Sequence, residues 1–237
     1  MFTFRRPQVR LEVPRLRSRG ESTALPKVNL AELTPKLMPY LGQAAYLQLS
    51  FFEAASRLTA EAVEVQDKLA LALTAGQMLD KHQQLVAEIH RHGGVPSEVM
   101  EPFAARIDAY SAMVRGANWH ESLTSIYLTA GLLDDFFTFL AAGLANGNGP
   151  KMVQIHALGS QREEIAQILS RAISADQRLG SQLAMWGRRV VGDTLLMARS
   201  AIHQSGNAVS DELKIEPVFT EVIAAHTRRM DGLGLTA

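Results

Sequence analysis

A chain of 237 residues, 47% of them apolar, has room for one large domain or two small ones and enough oily surface for a substantial core. Its 24 basic and 24 acidic residues balance, which excludes a whole-protein field that would draw it onto nucleic acid. It has no cysteine, which excludes disulfides, thiolate metal sites and cysteine nucleophiles and agrees with a reducing cytoplasm. No stretch approaches the roughly 18 consecutive apolar residues of a membrane span, and no apolar run follows the basic N-terminus as in a secretory signal. The expectation is a cytoplasmic protein.

Residues 1–34 read as a basic arm. Arg5, Arg6, Arg10, Arg15, Arg17 and Arg19 face the single acid Glu12 within residues 1–20, and Pro7, Pro14 and Pro26 discourage a long helix. Such an arm can contact RNA phosphate or an acidic partner. From residue 35 the chain reads as helix after helix. Predicted helices cover residues 40–58, 61–92, 103–115, 119–144, 150–175 and 179–204, and a last one begins at Ser210-Asp211 with Pro217 as a kink. Residues 95–102, with two prolines, read as a connector. Gly93-Gly94 and the run from Asn146 to Pro150 are the strongest breakers.

On the second of these helices Leu69, Leu73, Met78, Leu85 and Ile89 mark one apolar face. Strand signals are sparse. Long helices joined by short breakers predict an all-α fold, a four-helix bundle with additional helices. The expected organisation is the arm at 1–34 and one helical domain at 35–237. Its bundle core spans about 40–175, and extra helices follow at 176–231.

The segment from Ala172 to Asp193, AISADQRLGSQLAMWGRRVVGD, resembles ferritin-like proteins related to the tRNA 2-methylthio-isopentenyl-adenosine hydroxylase, the MiaE-like family. Two further pieces fall in the same order: Met100 to Tyr110, MEPFAARIDAY, and Asn118-Trp119 at the head of a long helix. The resemblance covers roughly residues 40–205. It implies a ferritin-like bundle that activates oxygen at two irons, held by carboxylates and Glu-x-x-His pairs projecting inward from four helices.

Measured against that implied ligand set, the chain departs at most positions. Gln48 stands where the resemblance implies a glutamate. Gln77 and Asp80 are the nearest equivalents of the second helix's Glu-x-x-His, with Lys81 or His82 left open by a one-residue ambiguity. Asp135 matches an aspartate on the third helix. Gln161 takes a histidine's place on the fourth, where Glu163 or Glu164 keeps a carboxylate. No Glu-x-x-His occurs anywhere in the chain. Neutral amides can hydrogen-bond to one another where clustered carboxylates without metal would repel. The set therefore reads as a degenerate di-iron site with no metal and no catalytic residue. A site holding two Fe ions, or a single metal on Asp80, Asp135 and Glu163 or Glu164, is the alternative.

Other features carry less. His82, His90 and His92 fall on different helix faces. Glu88 with His92, and Glu221 with His226, read as solvated or structural pairs. Arg189 and Asp193 are spaced to pair along their helix, with Trp186 packed on a neighbour. The leading expectation is a ferritin-like protein that has lost di-iron catalysis and acts by binding a partner, protein or RNA, or as a structural subunit that associates with itself or a paralogue. The alternative is an iron-dependent monooxygenase acting on modified tRNA.

Overall fold

The computed structural model describes residues 30–159, 162–202 and 208–235. The basic arm, with Arg5, Arg6, Arg10, Arg15, Arg17 and Arg19, lies outside the described residues, as does Gln161. Every regular element among the described residues is a helix. In chain order they are α1 (Leu30–Leu33), α2 (Leu37–Glu61), α3 (Val65–Arg91), α4 (Pro96–Met113), α5 (Trp119–Ala141), α6 (Gly149–Ala157), α7 (Glu163–Ala175), α8 (Gln177–Ser200) and α9 (Ala208–Gly232).

The centre of the assembly is α5. Its residues from Leu123 to Phe137 are buried almost all the way round, as expected of a helix with no polar face. It packs against α2, α6, α7, α8 and α9, while α2 lies along α3 and crosses α4. By length and composition α5 is also the one described helix apolar enough to cross a membrane, and 78% of its most apolar stretch is buried inside this bundle. Its start is well defined. Asn118 Oδ1 accepts the Glu121 backbone N–H at 2.9 Å, and Glu121 Oε2 accepts that of Ala117 at 2.8 Å, a reciprocal cap that satisfies two N–H groups near the helix start. Asp176 caps α8 in the simpler way, accepting from the Arg178 N–H at 2.8 Å.

Three departures from the predicted elements bear on the site. The helix expected over 150–175 is two helices, broken at Leu158–Arg162, where Gly159 (φ 54°) and Arg162 (φ 39°) take left-handed backbone. Only Gly159 signals this break. A Cβ there would lie 2.7 Å from the Gln77 side chain, so the turn is pressed against α3. The stripe predicted on α3 is misphased at its start: Leu69 is 68% and Leu73 53% exposed, and Leu71, Thr74 and Ala75 face inward instead, whereas Met78, Leu85 and Ile89 are buried as predicted. Finally α4 begins at Pro96, with Pro102 accommodated inside it, so most of the expected connector is helix. Pro96 occupies the first turn, where its missing N–H costs nothing.

At Gly42, α2 approaches the backbone of α4 closely. A Cβ built on Gly42 would lie 2.1 Å from the Val99 carbonyl oxygen, a contact relieved only by moving backbone. Gly42→Ala is therefore expected to destabilise the fold by about 2–4 kcal/mol in urea titrations. A loss under about 1 kcal/mol would show that the two helices separate easily.

Candidate functional site

Five polar side chains meet at the middle of the bundle, carried by α2, α3, α5, α6 and the turn before α7. At their centre is Asp134, 5% exposed, in the buried middle of α5. Its Oδ2 accepts from Lys81 Nζ at 2.7 Å and from the Arg162 guanidinium. Its Oδ1 accepts from Gln48 Nε2 at 2.9 Å and faces His156 Nδ1 at 3.4 Å. An ionised carboxylate only accepts, so the His156 proton toward it sits on Nδ1. The ring's Nε2 has no hydrogen-bond partner. His156 is stacked on Phe137 at 5.6 Å, and Tyr40 stands edge-on to both rings.

Local geometry explains who arrives. Lys81 lies three residues after Met78 and seven after Thr74, on the buried face of α3, and Met152, Ile155 and His156 share the buried face of α6. Arg162, in left-handed backbone at the head of α7, reaches the centre and donates to Asp134.

Burial pushes the Asp134 carboxyl up, but the charges of Lys81 and Arg162 and the hydrogen bond from His156 outweigh it and hold the group well below the usual carboxylate range. Burial lowers both cations: Lys81 against the opposing pull of Asp134 and with repulsion from Arg162, and Arg162 against the same carboxylate. Burial and the Asp134 charge keep the Tyr40 phenol protonated, and its hydroxyl donates to the Phe137 carbonyl at 2.9 Å. The metal-ligating side chains at this centre are Asp134 and His156, in the company of two cations. Nowhere among the described residues do three His, Cys, Asp or Glu side chains converge.

The positions singled out in the sequence scatter around this centre. Gln48 is in it. Gln77 is half-buried against the Gly159 turn, its Oε1 without a hydrogen-bond partner, and Asp80 is exposed. Of the two α3 registers left open, Lys81 is the residue that faces inward. His82 is turned to the Ala45 carbonyl at 2.9 Å. Asp135 is off by one residue, a rotation of about 100° that takes it out of the centre. It accepts from Arg229 of α9 at 2.5 Å instead. Glu163 is exposed at the start of α7, and Glu164 is half-buried there. The expected Arg189–Asp193 pair is absent among the described contacts. Arg189 lies over Trp186 of its own helix, 5.0 Å from the ring centre, and Trp186 Nε1 donates to Ser125 Oγ at 2.8 Å. Sequence reasoning missed Asp134, His156 and Arg162. The first two carried a signal, as an acid inside an apolar helix and an imidazole on an apolar stripe.

Residues 34–213 match the family model described as a ferritin-like domain of actinomycetes. The chain belongs to this ferritin-like family. A search of curated proteins finds no match. In this ferritin-like chain the position where inward-facing polar side chains meet is thus occupied by one carboxylate shared among an ammonium, a guanidinium, an imidazole and an amide.

Removing the carboxylate strands two buried cations. Asp134→Ala is expected to cost about 3–5 kcal/mol in urea unfolding. Adding Lys81→Met should recover part of that loss, because one stranded charge goes with it. A second change that only deepens the loss would mean Lys81 contributes packing and not charge.

A second buried titratable group is carried by α9 itself. His226 is buried, its Nδ1 lacks a hydrogen-bond partner, and burial followed by the charge of Arg229 lowers its pKa from 6.5 to about 4. Between those values the unfolded chain takes up a proton that the folded chain refuses. Stability is therefore full above pH 6.5 and falls as pH drops toward 4, by on the order of 2 kcal/mol. Urea midpoints at pH 7.5 and 5 should differ less in His226→Leu than in the wild type. Equal differences would place His226 outside the cause.

Proposed function

We propose that this ferritin-like chain is a relative of the tRNA 2-methylthio-isopentenyl-adenosine hydroxylase that has given up di-iron catalysis. In this reading it acts as a non-catalytic binding or structural protein. The observation that carries the reading is the Asp134 network. A di-iron centre needs several carboxylates and imidazoles on facing helices, with lone pairs free for the metal. Here one carboxylate and one imidazole are available, and the carboxylate oxygens already accept from four side chains. Lys81 and Arg162 supply the positive charge that metal ions would otherwise bring. The residues present do not fit two irons, and no chemical step is assigned to this centre.

A binding or structural role is supported by the apolar stripe that α3 leaves open. Val65, Leu69 and Leu73, four residues apart, are all exposed on one face. The partner proposed is another protein, a second copy or RNA.

Metal content is the test. Protein purified from iron-replete cells should carry far less than one iron per chain, and Lys81→Glu should not raise its thermal stability when ferrous iron is added. About two irons per chain would overturn the reading and favour the iron-dependent hydroxylase of modified tRNA.

A further inference from the structure

A cavity of about 110 Å³ lies between α2, α4 and α5 and shares no residue with the Asp134 network. Apolar walls come from Phe51, Leu58, Val114 and Ile126. Buried among them are the hydroxyls of Ser50, Ser125 and Thr129. Ser50 is occupied with Ser111, Oγ to Oγ, and Thr129 donates to the Ser125 carbonyl at 2.7 Å. Ser125 differs. Its Oγ accepts from the Trp186 indole, and its own hydroxyl proton has no acceptor among the described residues, although the residue is 3% exposed. At the solvent side the lining ends in Arg57, Arg115 and Glu61, all exposed, and neither arginine forms an ion pair among the described residues. The rim thus carries two cations against one carboxylate.

We propose that this cavity binds a small organic acid built on a single ring, with an oxygen at the end opposite its carboxylate. Pockets of this kind use apolar walls for affinity and a few polar groups for orientation. A closed cavity of about 150 Å³ accommodates benzene; this one is smaller but open at the arginine end, so it holds one ring only with the acidic group outside, at the mouth. The ring packs between Phe51, Leu58 and Ile126. The inner oxygen accepts the Ser125 proton. The carboxylate meets Arg57 and Arg115, whose guanidiniums suit a planar anion. The proposal stands apart from the reading of the Asp134 centre: iron content tests one, ligand titration the other.

The chain reports on this site through its own tryptophans. Trp186 Nε1 bonds to Ser125 and Trp119 Nε1 donates to the Leu58 carbonyl at 3.1 Å, so both indoles touch the cavity lining. The experiment titrates 4-hydroxybenzoate into the full chain while following the two indole N–H signals by NMR. Saturable shifts of the Trp186 signal are expected. The double variant Arg57→Gln with Arg115→Gln should bind about tenfold more weakly or worse, the usual scale of a lost charged hydrogen bond. Neutral 4-hydroxybenzyl alcohol should bind the wild type and the double variant alike. Ala54→Phe, which fills the cavity from a half-buried wall, should abolish binding of both, with a wild-type circular dichroism spectrum confirming its fold. No saturation up to about 10 mM, beyond even a millimolar site, or equal affinity of the wild type and the arginine variant, overturns the proposal.

Discussion

The carboxylate of Asp134 is the constraint on which the centre of this bundle depends. An acid in the middle of an apolar helix is tolerable only if it is neutralised on the spot, and the desolvation of each charge exceeds what one ordinary contact returns. The chain meets this by bringing donors from four other places in the sequence, Gln48, Lys81, His156 and Arg162, to its two oxygens. Each donor fixes the rotation of the element that carries it. The network therefore specifies how α2, α3, α6 and the turn before α7 are set around α5, a degree of orientation that interchangeable apolar contacts do not impose.

Polar groups that face the middle of a bundle must satisfy one another, and a metal ion is one way to do so. A carboxylate bridging two cations is another. It places positive charge on side chains that cannot dissociate, and it leaves the imidazole of His156 with one unused nitrogen packed among aromatic rings.

How much of this could be read from the residues depends on the length scale of each signal. Some helix ends were legible in the residues: Asn118 stands where α5 begins and Gly93-Gly94 follows the end of α3, while α8 begins at Gln177, two residues before the predicted start. The break before α7 was not, because no proline marks it and the left-handed Arg162 is held by its tertiary contact with Asp134, which no local pattern announces. The centre was legible as a place and not as a composition. Gln48 was found, and Lys81 stood among the open registers. The adjacent acids Asp134 and Asp135 differ by one helical step, and nothing local tells which faces α2 and which faces α9. On α3, Leu69 and Leu73 were read as core because leucines at helical spacing usually are. What decides is the face that α3 turns inward there, which carries Leu71, Thr74 and Ala75.

Helix α9 changes what counts as the domain. The matched family region ends at residue 213, inside the first turns of that helix. Yet Arg229 lies across Gly131 and holds Asp135, and Met230 fills the space left by Gly187 against Leu128. A boundary drawn by similarity and a boundary drawn by packing thus disagree by about one whole helix. Cutting at the former would open one flank of the most buried helix in the molecule to water. What the family shares is a pattern of residues. What this chain folds as is a larger unit, closed from outside that pattern by its own last helix.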